Sequence, residues 1–210
     1  MMTSNFPEIS ISTDRLVLRA FEPEDVPALA EMMTDELVRT WTTVPHSYTL
    51  DDAREWVSLR APAERTRGRG LVLAVHEFLT QRLVGSVRLR RTDWRLRATE
   101  AEVVTGPWAR GEGYAVEALR GVAQWLFEDQ KFERLELRTA AGNSAAQQVA
   151  QKVGCISEGV LRNAWIVRDG EAAGRARSDL ILWSLLPEDL DGLDALDDAD
   201  PNGHRHDPHW

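Results

Sequence analysis

The segment Arg110-Gly111-Glu112-Gly113-Tyr114-Ala115 joins small residues to the start of an amphipathic helix, an arrangement that can bind an anion. Residues 100–105 before it predict a strand, so the chain runs strand, glycine turn, helix. The first amide N–H groups of a helix have no intrahelical acceptor, and the helix dipole places partial positive charge there. Gly111 and Gly113 let a ligand approach the backbone. The pattern is consistent with a phosphate site and equally with a tight turn that binds nothing.

The elements around this turn predict a mixed α/β domain. Alternating apolar residues predict strands at residues 15–19, 71–78, 83–89, 100–105, 134–138, 156–160, 164–167 and 179–186. Capping signals and helical spacing predict helices that begin near Pro23, Thr49, Gly113 and Asn143. Asp169-Gly170 is typical of a turn. The helix after the glycine turn makes a β-α-β unit, and the remaining order favours a largely antiparallel sheet.

Composition indicates one globular domain. The chain has 210 residues, of which 43% are apolar, enough for a sizeable core. It has no run of about 18 apolar residues and no signal pattern in its first residues, so we predict a cytoplasmic protein that binds no membrane. Its one cysteine, Cys155, cannot form an intrachain disulfide, and a free cysteine is usually a small buried apolar residue rather than a nucleophile.

The charge distribution argues against nucleic-acid binding. The net charge of −9 would repel a phosphate backbone, and many of the acids lie near the C-terminus. We predict a domain over residues 11–187 and an acidic, disordered tail over residues 188–210. The tail holds His204, His206 and His209, but no scaffold fixes their geometry, so no metal site is predicted.

Four collinear segments match the pattern of a known enzyme family. The glycine turn fits an acyl-CoA signature of Arg or Gln, two residues, Gly, one residue, then Gly or Ala, with Arg110, Gly113 and Ala115 on the signature positions. The other matches are an opening strand at residues 13–19, an asparagine-to-glycine helix at 143–154 and the following strand at 158–165. With these segments the chain resembles the GNAT superfamily of N-acetyltransferases, and within it the RimJ/RimL-like branch that acetylates the α-amine of ribosomal proteins.

The resemblance implies the GNAT acyl-CoA N-acyltransferase fold, a mixed, mostly antiparallel twisted sheet flanked by helices, with acetyl-CoA as co-substrate. In the family the backbone amides of the glycine turn hold the CoA pyrophosphate, and the asparagine contacts the pantetheine arm. The cofactor-binding residues implied in this chain are Val103, Val104, Thr105, Arg110, Gly111, Glu112, Gly113, Tyr114, Ala115 and Asn143.

The implied reaction is attack of a neutral amine on the thioester carbonyl of acetyl-CoA, with no covalent enzyme intermediate. A carboxylate must take the ammonium proton, directly or through one water. Glu100 and Glu102 lie two apart on a predicted strand and therefore share a face, so both are candidate general bases. Glu100 falls on a commonly acidic position of the branch, whereas Glu102 stands where the branch commonly has glycine; either could instead be a solvated strand residue. Backbone N–H groups of residues 103–105 are candidate donors to the oxyanion.

The usual proton donors to the leaving thiolate are missing. The branch often has serine three residues after the asparagine, where this chain has Ala146, and related acetyltransferases have tyrosine seven residues after it, where this chain has Ala150. Ser144 is the remaining candidate, although it could instead hydrogen-bond at the helix start beside Asn143. A thiol pKa of about 8.5 makes the thiolate a tolerable leaving group even without a donor.

The acceptor site is the least defined part of the sequence. Arg162, Trp165 and Asp179 fall where the branch shapes this site, although Trp165 could be core packing and Asp179 could end a turn. We predict a protein N-terminal α-amine as acceptor. The alternatives are a small-molecule amine, such as a polyamine, amino acid or antibiotic, and a catalytically silent acyl-CoA-binding sensor, which the missing serine and tyrosine motivate. A monomer and a homodimer both fit the sequence.

Overall fold

The computed structural model describes residues 5–167 and 176–190. The strands are β1 (Ile11–Ser12), β2 (Leu16–Arg19), β3 (Leu71–Glu77), β4 (Leu83–Asp93), β5 (Ala98–Thr105), β6 (Arg134–Ala140), β7 (Ile156–Val167) and β8 (Ala176–Leu185). The helices are α1 (Val26–Thr34), α2 (Glu36–Trp41), α3 (Leu50–Glu55), α4 (Ala61–Thr66), α5 (Tyr114–Glu128) and α6 (Ser144–Val153). A π-helical turn, Trp56–Arg60, joins α3 to α4, and short 3₁₀ turns occupy Pro23–Asp25 and Pro107–Ala109.

The strands form one eight-stranded sheet in the order β1-β2-β3-β4-β5-β6-β8-β7. Neighbouring strands are antiparallel except β5 and β6, which pair in parallel and are connected through α5. A parallel pair needs a crossover, and the helix after the glycine turn supplies it. The predicted mixed, mostly antiparallel sheet and its β-α-β unit are confirmed.

Helices cover both faces of the sheet. Alternate residues of β3 divide between two apolar clusters, with Leu73 and Val75 in the first and Ala74 in the second. The first cluster contains the buried face of α5, including Leu119 and Leu126. The second contains the apolar residues of α1 and of the segment from α3 through the π-helical turn. Helix α5 thus packs on β4 and β5 from one face of the sheet, and the α1–α4 layer packs on β3 and β4 from the other.

The second half of the sheet differs from the sequence prediction in one respect. Residues 156–160 and 164–167 belong to one strand, β7, whose register with β8 shifts between Leu161 and Trp165. Asn163 lies in this irregular stretch with φ of 51°, and its polar residues made the segment resemble a break between two strands. The short helix α2 was not predicted, and the predicted turn at Asp169-Gly170 lies outside the described residues.

The described fold continues past the predicted domain end. Residues 187–190 are helical, and Leu190 is buried in the first apolar cluster. The disordered tail stays a prediction, because residues 191–210, with their histidines, lie outside the described part. Among the described helices, none has the length and apolar character to cross a bilayer.

The buried acid Asp25, at the end of the 3₁₀ turn before α1, gives a prediction about acid stability. Asp25 Oδ1 lies 2.8 Å from His76 Nε2, and Asp25 Oδ2 lies 2.9 Å from the Arg19 guanidinium. Burial raises the pKa of Asp25, but the hydrogen bonds from His76 and Arg19 outweigh this effect and lower the pKa to about 2. A depressed pKa stabilises the fold above the unfolded value near 3.8, and this stability is lost as the pH falls from about 4 to about 2.

We therefore expect Asp25→Asn to lower the free energy of unfolding by about 2 kcal/mol at pH 7 and by much less near pH 2. Urea unfolding at both pH values measures this difference. Asp14→Asn, at an exposed position, is the control that should show no such pH dependence. An equal loss at both pH values would mean that Asp25 stabilises the protein by packing rather than through its charge.

Cys155 gives a second prediction, about thiol reactivity. The side chain is buried, and desolvation, aided by the carboxylate of Asp189, raises the pKa of the thiol from 9.0 to about 12. Because only the thiolate reacts, alkylation by iodoacetamide at pH 8 should be about 1000-fold slower in the native protein than in the unfolded protein. Mass spectrometry of timed samples measures both rates. Fast native alkylation would contradict the buried position of this residue.

Candidate active site

The sheet has an opening between β5 and β6. The two strands pair only over Ala98–Ala101 and Arg134–Leu137, although β5 continues to Thr105 and β6 to Ala140. From residue 102 onwards, backbone groups of β5 that point away from β4 have no strand partner on that side. Such unpaired groups are available to a ligand that enters between the strands.

The strand end and the glycine turn that the sequence analysis selected lie next to each other. One small cavity is lined by the end of β5 together with the first turn of α5; its lining includes Val103, Val104, Thr105, Tyr114 and Ala115. Five of the predicted cofactor contacts are therefore brought together by the fold. The 3₁₀ turn between the two elements is fixed by Trp108, whose Nε1 donates to the Leu83 carbonyl at 2.8 Å.

The glycine turn has the geometry of an anion site. Gly111 and Gly113 have φ of +85° and +81°, a region that favours glycine, and Gly113 is the N-cap of α5. Within the described residues, the N–H groups of 111–113 donate to no protein acceptor, and those of Tyr114 and Ala115 belong to the first helical turn. A Cβ on Gly111 would meet nothing within 4 Å, and one on Gly113 only the Arg15 guanidinium at 3.6 Å. The space over these N–H groups is open.

Ionic contacts from distant parts of the chain hold the turn in place. Arg15 Nε donates to Glu117 Oε2 at 2.7 Å, and its Nη1 donates to the Glu112 carbonyl at 3.1 Å. Arg110 forms a bidentate pair with Asp35, the N-cap of α2. The turn is therefore tied to β2 on one side and to the α1–α2 layer on the other.

Two aromatic residues complete the surroundings of the turn and the opening. The Tyr114 hydroxyl donates to Glu77 Oε1 at 2.9 Å, and this hydrogen bond raises the pKa of Tyr114. Trp41, at the end of α2, lies so close to Gly142 that a Cβ there would approach its ring to 3.1 Å. The α1–α2 layer therefore reaches the loop in front of α6.

The start of α6 carries two of the predicted site residues. Asn143 is the N-cap, and its Oδ1 accepts the Ala146 N–H at 3.1 Å. The cap uses the oxygen of the side chain and leaves its NH₂ group available to a ligand. Ser144 is exposed and does not cap the helix, since Asn143 does so.

Glu100 is held in a cluster of arginines. It is 3% exposed; Oε1 accepts from Arg90 Nε at 3.0 Å, Oε2 accepts from Arg91 Nη1 at 3.0 Å, and Arg138 Nε lies 3.3 Å from Oε2. A general base needs a lone pair that can reach the amine or a water. Because three guanidinium groups surround this carboxylate, the geometry argues against Glu100 as the base, contrary to the preference taken from its position in the sequence.

Glu102 lies in a different environment on the same face of β5. It is the first residue beyond the parallel pairing, so it borders the opening, and its side chain is 25% exposed. Its nearest cation is Arg90, whose Nε lies 3.6 Å from Oε2. This oxygen is enclosed and accepts no hydrogen bond from the described residues. The geometry therefore favours Glu102 over Glu100 as the carboxylate that can take a proton.

The three predicted acceptor residues do not form one cluster. Asp179 Oδ1 accepts the Asn163 N–H at 2.7 Å and so holds the irregular stretch of β7, while its carbonyl accepts the Ala141 N–H near the start of α6. Trp165 Nε1 is enclosed without a hydrogen-bond partner among the described residues. Arg162 is exposed on β7. Of the three, only Asp179 is tied to the loop that leads into Asn143.

Sequence reasoning missed the side chains that organise the site from a distance. Arg15 and Glu117 are 102 residues apart, and Arg110 and Asp35 are 75 apart. No local pattern reports such pairs. The signals were that Arg15 and Arg110 each lie in one of the four segments that carry the family resemblance; nothing in the sequence pointed to Glu117 or Asp35 as their partners.

Comparison with known proteins agrees with this geometry. A family model described as an acetyltransferase (GNAT) domain matches residues 15–156. The putative ribosomal N-acetyltransferase YdaF of Bacillus subtilis is 23% identical over 180 residues, which cover 85% of this chain and 95% of that protein.

Solved structures show the same fold at low sequence identity. RimJ of Mycobacterium smegmatis, in complex with CoA-disulfide, aligns with a TM-score of 0.77 and 20% identity over 90% of this chain and 95% of that chain. Spermidine N-acetyltransferase of Vibrio cholerae, in complex with CoA and spermine, aligns with a TM-score of 0.71 and 18% identity over 85% and 99%. At these identities the likeness extends to the fold alone.

Proposed function

The chain belongs to the GNAT acetyltransferase family, an acetyl-CoA-dependent class of enzymes, and we propose that it acetylates the α-amine at a protein N-terminus. The observation that carries this proposal is the opening between β5 and β6, which has a candidate base on its border and a turn of open N–H groups beside it. The name of the Bacillus subtilis relative, a putative ribosomal N-acetyltransferase, supports the same acceptor class.

Acetyl-CoA supplies the acetyl group as an activated thioester. We place its pyrophosphate at the N–H groups of residues 111–115, where the open space and the α5 dipole favour an anion. The NH₂ group of Asn143 is the donor we assign to the pantetheine arm. Ionic contacts made by Arg15 and Arg110 keep the turn in its binding conformation before the ligand arrives.

The proton and the oxyanion are assigned to two neighbouring parts of β5. Glu102 takes the proton of the amine, directly or through one water. Unpaired N–H groups among residues 103–105 donate to the carbonyl oxygen as negative charge develops on it. Ser144 is the candidate donor to the departing thiolate; since a thiolate can leave unprotonated, the step does not depend on it.

The charge around Glu102 favours an α-amine over a polyamine. Arg88 and Arg90 lie on β4 directly opposite Glu102 and Glu100, and Arg138 approaches the same cluster from β6. These guanidinium groups would repel a polycation. An α-amine, with a pKa of about 8 rather than about 10.4, is also neutral more often at physiological pH and needs less help from a base.

The experiment that tests this proposal is a panel assay. The protein is incubated with acetyl-CoA and with peptides, spermidine, amino acids or aminoglycosides; CoA release and acceptor mass are then measured. We expect acetylation of a peptide α-amine, and no acetylation of the same peptide when its N-terminus is blocked. Transfer to small amines alone would contradict the peptide acceptor, and acetyl-CoA binding without any transfer would favour the sensor alternative.

A further inference from the structure

A basic cleft lies beside the candidate active site. It has a volume of about 590 Å³ and is bounded by the π-helical turn and α4 on one side and by β4 on the other. Its arginines are Arg60, Arg67, Arg69, Arg88, Arg90 and Arg91. Glu64 is the carboxylate in the lining, and Trp56 the aromatic residue. This concentration of positive charge contrasts with the net charge of −9 of the whole chain.

Carboxylates of the protein neutralise only part of this charge. The ion pairs are Arg60 with Glu55, Arg88 with Glu64, and Arg90 and Arg91 with Glu100; Arg90 also lies 3.6 Å from Glu102. Arg67 and Arg69 are exposed, and their side chains form no ion pair or hydrogen bond within the described residues. The cleft therefore has two guanidinium groups without a partner, in addition to four that a ligand could share.

The inner wall of the cleft is rigid. Arg88 is held by a bidentate contact with Glu64 and lies over the Trp56 ring, with its Cζ 5.3 Å from the centroid. A fixed guanidinium group loses little conformational entropy when it binds an anion, and the contact with Glu64 leaves Nη1 of Arg88 available. The chain has 23 arginines among its 25 basic residues, and no lysine lines this cleft.

The cleft is within reach of an acceptor whose amine is at Glu102. Arg88 and Arg90 are the direct β4 partners of Glu102 and Glu100. Adjacent strands lie about 4.8 Å apart, so the β4 wall of the cleft lies about 5 Å from the strand that carries Glu102. An extended peptide advances about 3.3 Å per residue. Its second to fourth residues would therefore lie along the arginines.

We propose that this cleft binds acidic side chains of the acceptor, so that the preferred substrates are protein N-termini with Asp or Glu at positions two to four. The inference rests on the proposed function, because it assumes a peptide whose α-amine reaches Glu102. The unpaired Arg67 and Arg69 provide the attraction, and Arg88 and Arg90 line the inner wall. Recognition of this kind is electrostatic and therefore weakens with salt.

Peptide binding tests the inference without requiring turnover. Wild-type protein is titrated into two fluorescently labelled peptides, each with a free N-terminus. One begins Ala-Glu-Asp-Glu and the other begins with the isosteric sequence Ala-Gln-Asn-Gln, and both continue with the same neutral segment. The acidic peptide should bind at least tenfold more tightly in 50 mM salt, and this preference should fall below threefold in 500 mM salt.

Charge-reversal variants locate the binding surface. Arg67→Glu with Arg69→Glu should abolish the preference for the acidic peptide, because it reverses the charge of the two guanidinium groups that provide the attraction. Both side chains are exposed and have no ion pair or hydrogen bond among the described residues, so the variant should stay folded. Arg95→Glu, at an exposed position outside the cleft, is the control and should retain the preference. Equal affinity of the two peptides for wild type, or a preference that survives in the double variant, would overturn the inference. Absence of acetyl transfer to every peptide would instead contradict the proposed function.

Discussion

Replacing Glu102 by glutamine is expected to lower kcat by about 10²- to 10⁴-fold, the usual contribution of a positioned general base. The amide is nearly the same shape as the carboxylate but cannot take a proton from the acceptor amine. Initial rates of CoA release with a peptide acceptor measure the effect. The dissociation constant of acetyl-CoA should stay unchanged, since we place the CoA contacts on the turn and on Asn143 rather than on Glu102.

Two matched variants show whether this effect belongs to Glu102. Glu136→Gln changes a carboxylate of β6 that is 24% exposed, close to the 25% of Glu102, but lies in the paired part of the strand. It should keep most of the activity. Glu100→Gln should mainly destabilise the protein, because it leaves three arginines short of a partner. A Glu102→Gln enzyme with wild-type kcat would show that another group takes the proton.

Replacing Gly113 by tryptophan is expected to weaken acetyl-CoA binding by at least 100-fold. The side chain would occupy the open space over the N–H groups of the turn, where only Arg15 lies within 4 Å of the added Cβ. The backbone at φ +81° also disfavours a side chain, at a cost of about 1–2 kcal/mol. Calorimetric titration of acetyl-CoA into both proteins measures the change.

The control for backbone strain is Gly159→Trp. Gly159 also has a positive φ, +154°, with nothing within 4 Å of an added Cβ, and it lies on β7 rather than at the turn. This variant should lose some stability and keep its affinity for acetyl-CoA. Thermal unfolding shows whether each variant is folded. A folded Gly113→Trp protein with wild-type affinity would mean that acetyl-CoA binds elsewhere.

The fold was predictable from sequence largely because its signals are local. Gly113 begins a helix with a regular apolar face, and that helix stands between two alternating strands, so the β-α-β unit follows from short segments. The glycine pattern also predicted the turn before α5, because a positive φ next to the first turn of a helix is set by adjacent residues. Its role in binding an anion stays a proposal. The irregular stretch at Asn163 was wrongly predicted as a break between two strands. A bulge is defined by the pairing of β7 with β8, so no local sequence pattern reports it.

The family, the sheet class, the glycine turn and the asparagine cap were all predictable from the sequence, because each depends on residues close together in the chain. The two carboxylates of β5 differ only in their surroundings in the folded protein. Glu100 and Glu102 lie two residues apart and therefore share a face of β5. Arg90, Arg91 and Arg138 converge on Glu100, however, whereas Glu102 borders the opening. The basic cleft likewise exists only in the folded chain. The electrostatic potential in the cleft is the sum over nearby charges, and the residues of α4 and β4 come together only when the helix packs on the sheet.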